Sequence, residues 1–221
     1  MGTEVSARDE VLRRIRTAIA TPPAAEASIA AEWRDLPRDY KRAASLDREA
    51  ILDMLEDRLR DYDATVVRTH AGSVASEIAR MIAARNIHRI VVPAGLPEAL
   101  GEALPGGLDF TLDRGLNPTE LNSFEGVLTA STVAIAETGT IVLQNVPGQG
   151  RRAPTLIPDY HLCVVRAADV VETVPEAMSR LAPTATLATT FISGPSATAD
   201  IEMTRVKGVH GPRFLDVILV V

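Results

Sequence analysis

The chain has 221 residues, of which 46% are hydrophobic, and this is enough for one sizeable core. Its 23 Lys and Arg residues are outnumbered by 29 Asp and Glu residues, which gives a formal net charge of −6. Because nucleic-acid-binding domains usually carry a basic excess or a basic stripe, no nucleic acid partner is expected.

The N-terminal 44 residues are predicted to form a helical arm and a linker. Residues 6–20 place an apolar stripe opposite arginines, which predicts an amphipathic helix. The Pro- and Ala-rich stretch over residues 21–40 is typical of a linker. No apolar run approaches the ~20 residues of a membrane span, and the charged N-terminus lacks a signal peptide. We therefore expect no membrane span and a cytoplasmic location.

Residues 45–221 are predicted to form one α/β domain. Helical and extended patterns alternate over its first half: helices over 45–62, 73–86 and 96–104, and strands over 64–69, 88–93 and 109–113. This alternation is the signature of right-handed βαβ units on a parallel sheet. No GxGxxG pattern follows the first strand, so a dinucleotide site is not predicted.

Strand patterns dominate the second half, after a short helix over 118–126. Strands over 131–137 and 140–145 flank Thr138-Gly139, which indicates a hairpin. Later elements are a strand within 159–171, a helix over 175–182 opened by Pro175, a strand within 185–202 that runs into a turn and a short helix, and a final strand within 210–221.

The only cysteine of the sequence, Cys163, limits the cofactor chemistry. An iron–sulfur cluster usually takes four thiolates, so we interpret Cys163 as a small core residue. The four histidines, His70, His88, His161 and His210, show none of the short spacings of zinc motifs. We therefore expect no metal and no cofactor in this chain.

Four stretches, taken in order, resemble the LUD-domain family. They are "ASTVAIAETGTIVL", "GQGRRAPTLIPDYHLCVV", "TTFISGPSATADIE" and "VKGVHGPRFLDVILV". The resemblance implies a NagB/RpiA/CoA-transferase-like α/β fold, with a mixed, mostly parallel sheet flanked by helices. It also implies a place in a bacterial system that oxidises lactate to pyruvate, alongside two iron–sulfur partner proteins that hold the clusters.

Glu137 is the candidate catalytic residue, because it ends a predicted strand beside a Thr-Gly turn. A carboxylate there can act as a base or a nucleophile. In CoA-transferases of the similar fold, a glutamate at a strand end forms a thioester with CoA. The stretch "AETGT" does not reproduce the flanking pattern of those enzymes, and a solvated carboxylate beside a turn is the alternative interpretation.

The loop "PGQGRR" is the first candidate anion site. Gly148 and Gly150 free the backbone to present consecutive N–H groups, an anion-binding nest. Arg151 and Arg152 add forked guanidinium groups that suit carboxylate or phosphate. An ordinary surface loop, with one arginine paired to an acidic neighbour, is the alternative.

The turn after Ile192 is the second candidate anion site. Strand, turn and helix in succession would place its amides and hydroxyls at the carboxyl edge of the sheet, where ligands usually bind. We expect this turn and the "GQGRR" loop to form two walls of one cleft. The predicted ligand-binding residues are Gly139, Thr140, Gly148, Gln149, Gly150, Arg151, Arg152, Ser193, Gly194, Ser196, Asp200, Glu202 and His210.

Three functions fit these patterns. In the first hypothesis, the chain is a non-redox subunit of a lactate-oxidising assembly. It binds a partner or a small organic anion such as lactate, pyruvate, phosphate or a CoA-type ligand. Alternatively, it is an acyl- or CoA-transferase-like enzyme that uses Glu137. The third possibility is a binding module that senses a metabolite.

Overall fold

The computed structural model describes residues 6–19, 26–96, 100, 104–198, 206–208 and 210–221. The chain divides into two compact units, Met1–Tyr40 and Lys41–Val221. The described helices are α1 (Ala7–Ile19), α2 (Glu26–Asp35), α3 (Arg48–Asp61), α4 (Val74–Ala84), α5 (Pro118–Leu121) and α6 (Val174–Leu181). The described strands are β1 (Thr65–Thr69), β2 (Arg89–Val92), β3 (Asp109–Leu112), β4 (Gly126–Ala130), β5 (Val133–Ile135), β6 (Thr140–Gln144), β7 (Tyr160–Arg166), β8 (Val170–Val171), β9 (Thr189–Ile192), β10 (Ala197–Thr198), β11 (Val206–Lys207) and β12 (Phe214–Val220).

The N-terminal unit contains two helices. Helix α1 was predicted, and Ser6 caps it by accepting a hydrogen bond from the Asp9 amide at 3.2 Å. Helix α2 lies within the stretch predicted to be a linker, so that prediction was wrong. The prolines of the stretch lie outside α2, and the Ala- and Glu-rich residues between them favour a helix.

The main sheet has six strands in the order β1-β12-β7-β4-β2-β3, and every neighbouring pair is parallel. This confirms the predicted α/β class with a mostly parallel sheet flanked by helices. Strand β4 was missed, because Gly126–Ala130 runs into the next strand without a glycine or proline turn signal. It pairs with β2 and β7, so it belongs to the middle of the sheet.

The second sheet has four strands in the order β8-β5-β6-β9. Strands β5 and β6 form the predicted antiparallel hairpin, whose turn uses Gly139 at φ 56°. Strand β9 is antiparallel to β6, so the two strands end at opposite edges of this sheet. Helix α6 packs on one face of the sheet through Ala177 and Leu181.

The side-chain alternation of β7 separates the two sides of the main sheet. Tyr160, Leu162 and Val164 pack in one cluster with helix α4. Cys163 and Val165 pack in the other, with α3 and the second sheet. Successive residues of a strand point to opposite faces, so His161 faces the second sheet.

A buried carboxylate, Glu172, holds the segment that leads into α3. It forms an ion pair with Lys41, and its Oε2 accepts hydrogen bonds from the amides of Ser45 at 2.6 Å and Leu46 at 3.0 Å. The Lys41 hydrogen bond and these two amides outweigh burial and lower the pKa of Glu172 to about 2. The negative charge of Glu172 therefore stabilises the folded chain.

This arrangement predicts an acid-dependent loss of stability. Because the folded-state pKa lies below the ordinary value of 4.5, the stabilisation is present above that value and is lost as the pH falls towards about 2. We expect Glu172→Gln to lower the urea midpoint at pH 7 and to flatten its decline between pH 5 and pH 2.5. Asp57→Asn, which removes one charge from the exposed pair with Arg58, is the matched control. Equal pH profiles for wild type and Glu172→Gln would contradict this account.

Candidate functional site

The glycine loop after β6 does not present the free amides that were predicted. Gly148 donates to the Ala94 carbonyl at 2.7 Å, and the amides of Gln149 and Gly150 both donate to the Val146 carbonyl, at 3.1 and 3.0 Å. The predicted nest is therefore wrong, because its donors already have carbonyl partners. The loop instead ties the end of β6 to the main sheet.

The Gln149 side chain is also committed to the fold. It is buried, and its Oε1 accepts hydrogen bonds from the Gln144 amide at 2.7 Å and the Thr132 hydroxyl at 2.9 Å. Gln144 is the last residue of β6, and Thr132 lies between β4 and β5. The Gln149 carbonyl oxygen thus stabilises the loop, and the residue does not line the same cleft as Arg152.

Arg151 and Arg152 have different surroundings. Arg151 forms a bidentate pair with Asp113, with both N–O distances at 2.8 Å, and also donates to the Leu116 carbonyl at 2.5 Å. Its guanidinium is satisfied inside the protein, contrary to the prediction that it holds an anion. Among the described residues, no carboxylate pairs with Arg152.

Glu137 lies in the exposed turn between β5 and β6. Its Oε1 is 3.4 Å from the Lys41 ammonium group, and its side chain lines none of the clefts described below. Thr140, at the start of β6, shares a 2.8 Å hydrogen bond with the Ser193 hydroxyl. The hairpin that holds Glu137 is therefore joined to the turn after β9 through Thr140 and Ser193.

The turn after β9 leads into a strand and not into the predicted helix. Ala197–Thr198 pairs with Val206–Lys207 as β10 and β11. Ser196 braces this region: its amide donates to the Pro212 carbonyl at 2.8 Å, and its hydroxyl accepts from the His210 amide at 3.3 Å. Asp200 and Glu202, predicted to stand behind the turn, lie outside the described residues.

A cleft of about 230 Å³ brings several of the predicted residues together. Arg152, Ser193, Gly194, Ser196 and His210 all line it, and we call it the Arg152 cleft. Two further lining residues, Thr155 and His161, were not predicted as ligand-binding residues. No Asp or Glu among the described residues lines this cleft.

The position of the cleft corrects the prediction of a shared carboxyl edge. His161 and Leu215 are the second residues of β7 and β12, so the cleft lies at the amino ends of these strands. The antiparallel pairing of β6 with β9 sends the Gly148–Gly150 loop to the opposite edge from the turn after β9. Arg152 reaches the turn because the chain runs back from the loop towards β7.

Arg152 supplies the positive charge of the cleft. Its Nη1 donates to the carbonyl and the hydroxyl of Thr155, both at 2.9 Å, and these bonds fix one side of the guanidinium. Although the residue as a whole is exposed, partial burial of the guanidinium lowers its pKa. An arginine stays protonated in proteins, so a partly buried charge that pairs with no carboxylate among the described residues is suited to an anion in the cleft.

His161 is buried where it meets the cleft, with 2% of its surface exposed. Its Nε2 lies 2.8 Å from the Thr129 hydroxyl, which in turn donates to the Cys163 sulfur at 3.6 Å. Burial and the nearby charge of Arg152 lower the pKa of His161 to about 3, so the ring is neutral at physiological pH. Burial also raises the pKa of the Cys163 thiol to about 12.

Sequence reasoning missed His161 and Thr129 as parts of the site. Each is a polar residue inside an apolar strand, "YHLCVVR" for β7 and "GVLTA" for β4. A buried polar side chain needs a partner, so two such residues in one sheet were the available signal. Their contact requires the β4–β7 pairing, which places them two residues apart in register (Thr129 opposite Cys163).

Two other concave regions offer weaker binding chemistry. The first, at the amino ends of the main sheet, contains Arg85 and Arg213, which are paired with Asp216 at 2.7 Å and Asp159 at 3.1 Å. The second, at the carboxyl ends, is lined mainly by apolar and small side chains. No group of three His, Cys, Asp or Glu side chains in the described ranges is placed to hold a metal ion.

The main sheet, the second sheet and the Arg152 cleft define an α/β protein with a small site suited to anions. The chain belongs to the LUD domain family, whose model matches residues 5–220. A "Lactate utilization protein C" from Deinococcus radiodurans is 44% identical over 184 residues, which are 82% of this chain and 84% of that protein. A protein of the same description from Anoxybacillus flavithermus is 28% identical over 90% of this chain and 89% of its own length.

A solved structure supports the fold. The crystal structure of a DUF162 family protein from Deinococcus radiodurans matches with a TM-score of 0.69 and 40% identity. The match covers 80% of this chain and 99% of that chain. Over the part of this chain that the structure describes, no helix is long and apolar enough to cross a membrane.

The turn that forms one wall of the cleft depends on Gly194. Its φ of 79° lies in the left-handed region, and a Cβ there would overlap the Cβ of Tyr62. We expect Gly194→Ala to lower the free energy of unfolding by about 1–2 kcal/mol or more, measured by urea denaturation. Gly72→Ala is the matched control, since a Cβ at Gly72 meets nothing within 4 Å. A loss no larger than that of the control would show that Gly194 is not required by the turn.

Proposed function

We propose that this chain is a subunit of a bacterial lactate-utilisation system and that it binds a small organic anion in the Arg152 cleft. The relatives described as lactate utilization protein C support the pathway. Lactate and pyruvate, which each carry one carboxylate, are the anions proposed first for this site. The single observation that carries this proposal is Arg152, a partly buried guanidinium that pairs with no carboxylate of the described residues and lies in a cleft lined by hydroxyl groups.

The size of the cleft favours a small ligand. Pockets for drug-sized ligands usually measure about 300–1,000 Å³. The Arg152 cleft, at about 230 Å³, suits a three-carbon acid better than the whole of a CoA-type ligand. A bound carboxylate would accept hydrogen bonds from the free side of the Arg152 guanidinium and from the Ser193 hydroxyl.

In this proposal the electron carriers belong to partner proteins and not to this chain. Oxidation of lactate to pyruvate releases two electrons, and the lone thiol of this chain, Cys163, is buried with a raised pKa. One such thiol cannot supply the ligands of an iron–sulfur cluster. In this proposal the clusters belong to iron–sulfur partner proteins, and this chain presents or senses the organic acid.

The anion site predicts a defined effect of Arg152. Arg152→Gln should weaken the binding of L-lactate or pyruvate by about tenfold or more, because a hydrogen bond to a charged group is worth ~1.5–3 kcal/mol. Binding is measured by NMR titration of the isolated chain.

Two control variants each remove the positive charge of an arginine at another position. Arg80→Gln disrupts only an exposed pair with Glu77 on α4 and should leave affinity unchanged. Arg151→Gln breaks the pair with the buried Asp113 carboxylate, so it should lower stability more than affinity. Equal losses of affinity in all three variants would indicate general electrostatic attraction and would overturn the site.

Substitution of Glu137 distinguishes the proposed subunit from the alternative of an acyl- or CoA-transferase-like enzyme. Since Glu137 does not line the cleft, Glu137→Gln should leave anion affinity within about twofold of wild type, a change below ~0.5 kcal/mol. It should also leave the lactate-dependent dye reduction of the reconstituted assembly at the wild-type level. Full loss of that activity with affinity retained, or a hydroxylamine-sensitive acyl group on Glu137, would favour the enzyme.

The assembly itself is tested by co-purification. A tagged chain expressed in its native host should retain iron–sulfur proteins, detected by their visible absorption and by iron analysis. The purified complex should reduce a dye when lactate is added. Recovery of the chain without iron-containing partners, under conditions in which lactate supports growth, would contradict the assembly.

A further inference from the structure

The two nitrogens of His161 have different partners. Nε2 contacts the Thr129 hydroxyl, whereas no hydrogen bond joins Nδ1 to any described residue. Within the described part of the chain, no fully buried side-chain N or O atom lacks a hydrogen-bond partner. Since His161 lines the Arg152 cleft and Nε2 contacts Thr129, this pattern favours Nδ1 as the ring nitrogen on the cleft side.

Three contacts around the ring favour one position for its proton, although the contact between His161 and Thr129 is by itself compatible with either position. The Cys163 thiol lies 3.8 Å from the Ala130 carbonyl, which can only accept. The Thr129 hydroxyl donates to the Cys163 sulfur, so its lone pairs are left to accept from His161. The form of the ring with its proton on Nε2 satisfies all three of these contacts, and this form presents a lone pair at Nδ1.

The cleft thus combines a cation with a hydrogen-bond acceptor. Arg152 attracts a carboxylate, and His161 Nδ1 requires a hydrogen-bond donor on the same ligand. A 2-oxo acid offers only acceptors, and its carbonyl oxygen would face the lone pair of Nδ1. A simple carboxylic acid leaves Nδ1 without a partner once water is displaced, which carries a free-energy penalty.

We propose that His161 makes the Arg152 cleft selective for short 2-hydroxycarboxylates, whose carboxylate pairs with Arg152 while the hydroxyl group donates to Nδ1. This inference rests on the proposed anion binding at Arg152. It adds that the site distinguishes lactate from pyruvate, so the chain binds the reduced acid and releases the oxidised one. His161 is a specificity-determining residue in this account.

The first test compares matched acids on the wild-type chain at pH 7.5. NMR titrations with L-lactate and propionate, and with glycolate and acetate, isolate the hydroxyl group in each pair. We expect the hydroxy acid to bind about tenfold more tightly in both pairs, because an unpaired buried acceptor weakens binding by that order. Pyruvate should bind no better than propionate.

The second test observes His161 directly. In the chain with ¹⁵N-labelled histidine, the His161 signals should show a protonated Nε2 and an unprotonated Nδ1. Adding L-lactate should shift the Nδ1 resonance to lower frequency, as expected for a nitrogen that accepts a hydrogen bond, whereas propionate should not. This measurement needs no substitution in the core.

Variants supply the third test. Thr129→Val removes the acceptor that holds the proton on Nε2, so it should reduce the lactate preference towards equality. Ser131→Ala removes a neighbouring hydroxyl that donates to the Val164 carbonyl at 3.4 Å, and it should preserve the preference. His161→Phe should abolish the preference while Arg152-dependent binding of propionate persists.

The outcomes separate this inference from the proposed function. Equal affinities within each pair of acids, with binding still dependent on Arg152, would overturn the role of His161 and leave the anion site standing. Failure of every acid to bind, or binding that Arg152→Gln does not affect, would overturn both. A proton on Nδ1 in the free chain would also overturn the role of His161.

Discussion

The structure depends on the burial of β7 from both sides. Helix α4 covers one face of this strand, and α3 with the second sheet covers the other. Alternation therefore directs His161 towards the second sheet, on the face of β7 where Cys163 and Val165 pack. Burial in this position keeps the imidazole neutral and requires a partner, which Thr129 supplies from the neighbouring strand. The chemistry of the cleft thus follows from the packing that stabilises the fold.

The contrast between two adjacent arginines shows how the fold separates structure from binding. Arg151 neutralises Asp113, a carboxylate whose burial would otherwise raise its pKa, and Arg151 with the amides of Leu116 and Gly115 lowers that pKa instead. Arg152 turns towards the amino ends of β7 and β12 and bonds only to Thr155 among the described residues. One guanidinium therefore holds the loop, and the other lies at the surface of the cleft, where it pairs with no carboxylate of the described ranges.

The local patterns of the sequence predicted much of the fold. The succession β1-α4-β2, the Thr138-Gly139 hairpin and the helix with Pro175 in its first turn depend on neighbouring residues, and each is confirmed. Most of the predicted helix over 96–104 lies outside the described residues. The sequence also predicted Arg152, Ser193 and His210 as site residues, and the structure brings them together. The alternative interpretation of the loop included one arginine paired with an acidic residue, but the sequence could not identify the pair as Arg151 and Asp113, which lie 38 residues apart. The Thr129–His161 contact was likewise hidden, since it depends on which strands pair and in which register.

The central claim is that one small cleft recognises two groups of the same ligand: Arg152 binds the carboxylate, and His161 accepts a hydrogen bond from the hydroxyl group. A crystal structure of the chain with L-lactate tests it most directly. The account predicts lactate in the Arg152 cleft, with its carboxylate on the guanidinium and its hydroxyl oxygen within hydrogen-bond distance of His161 Nδ1. Lactate bound at another surface, or in the cleft with its hydroxyl group turned away from His161, would contradict the account.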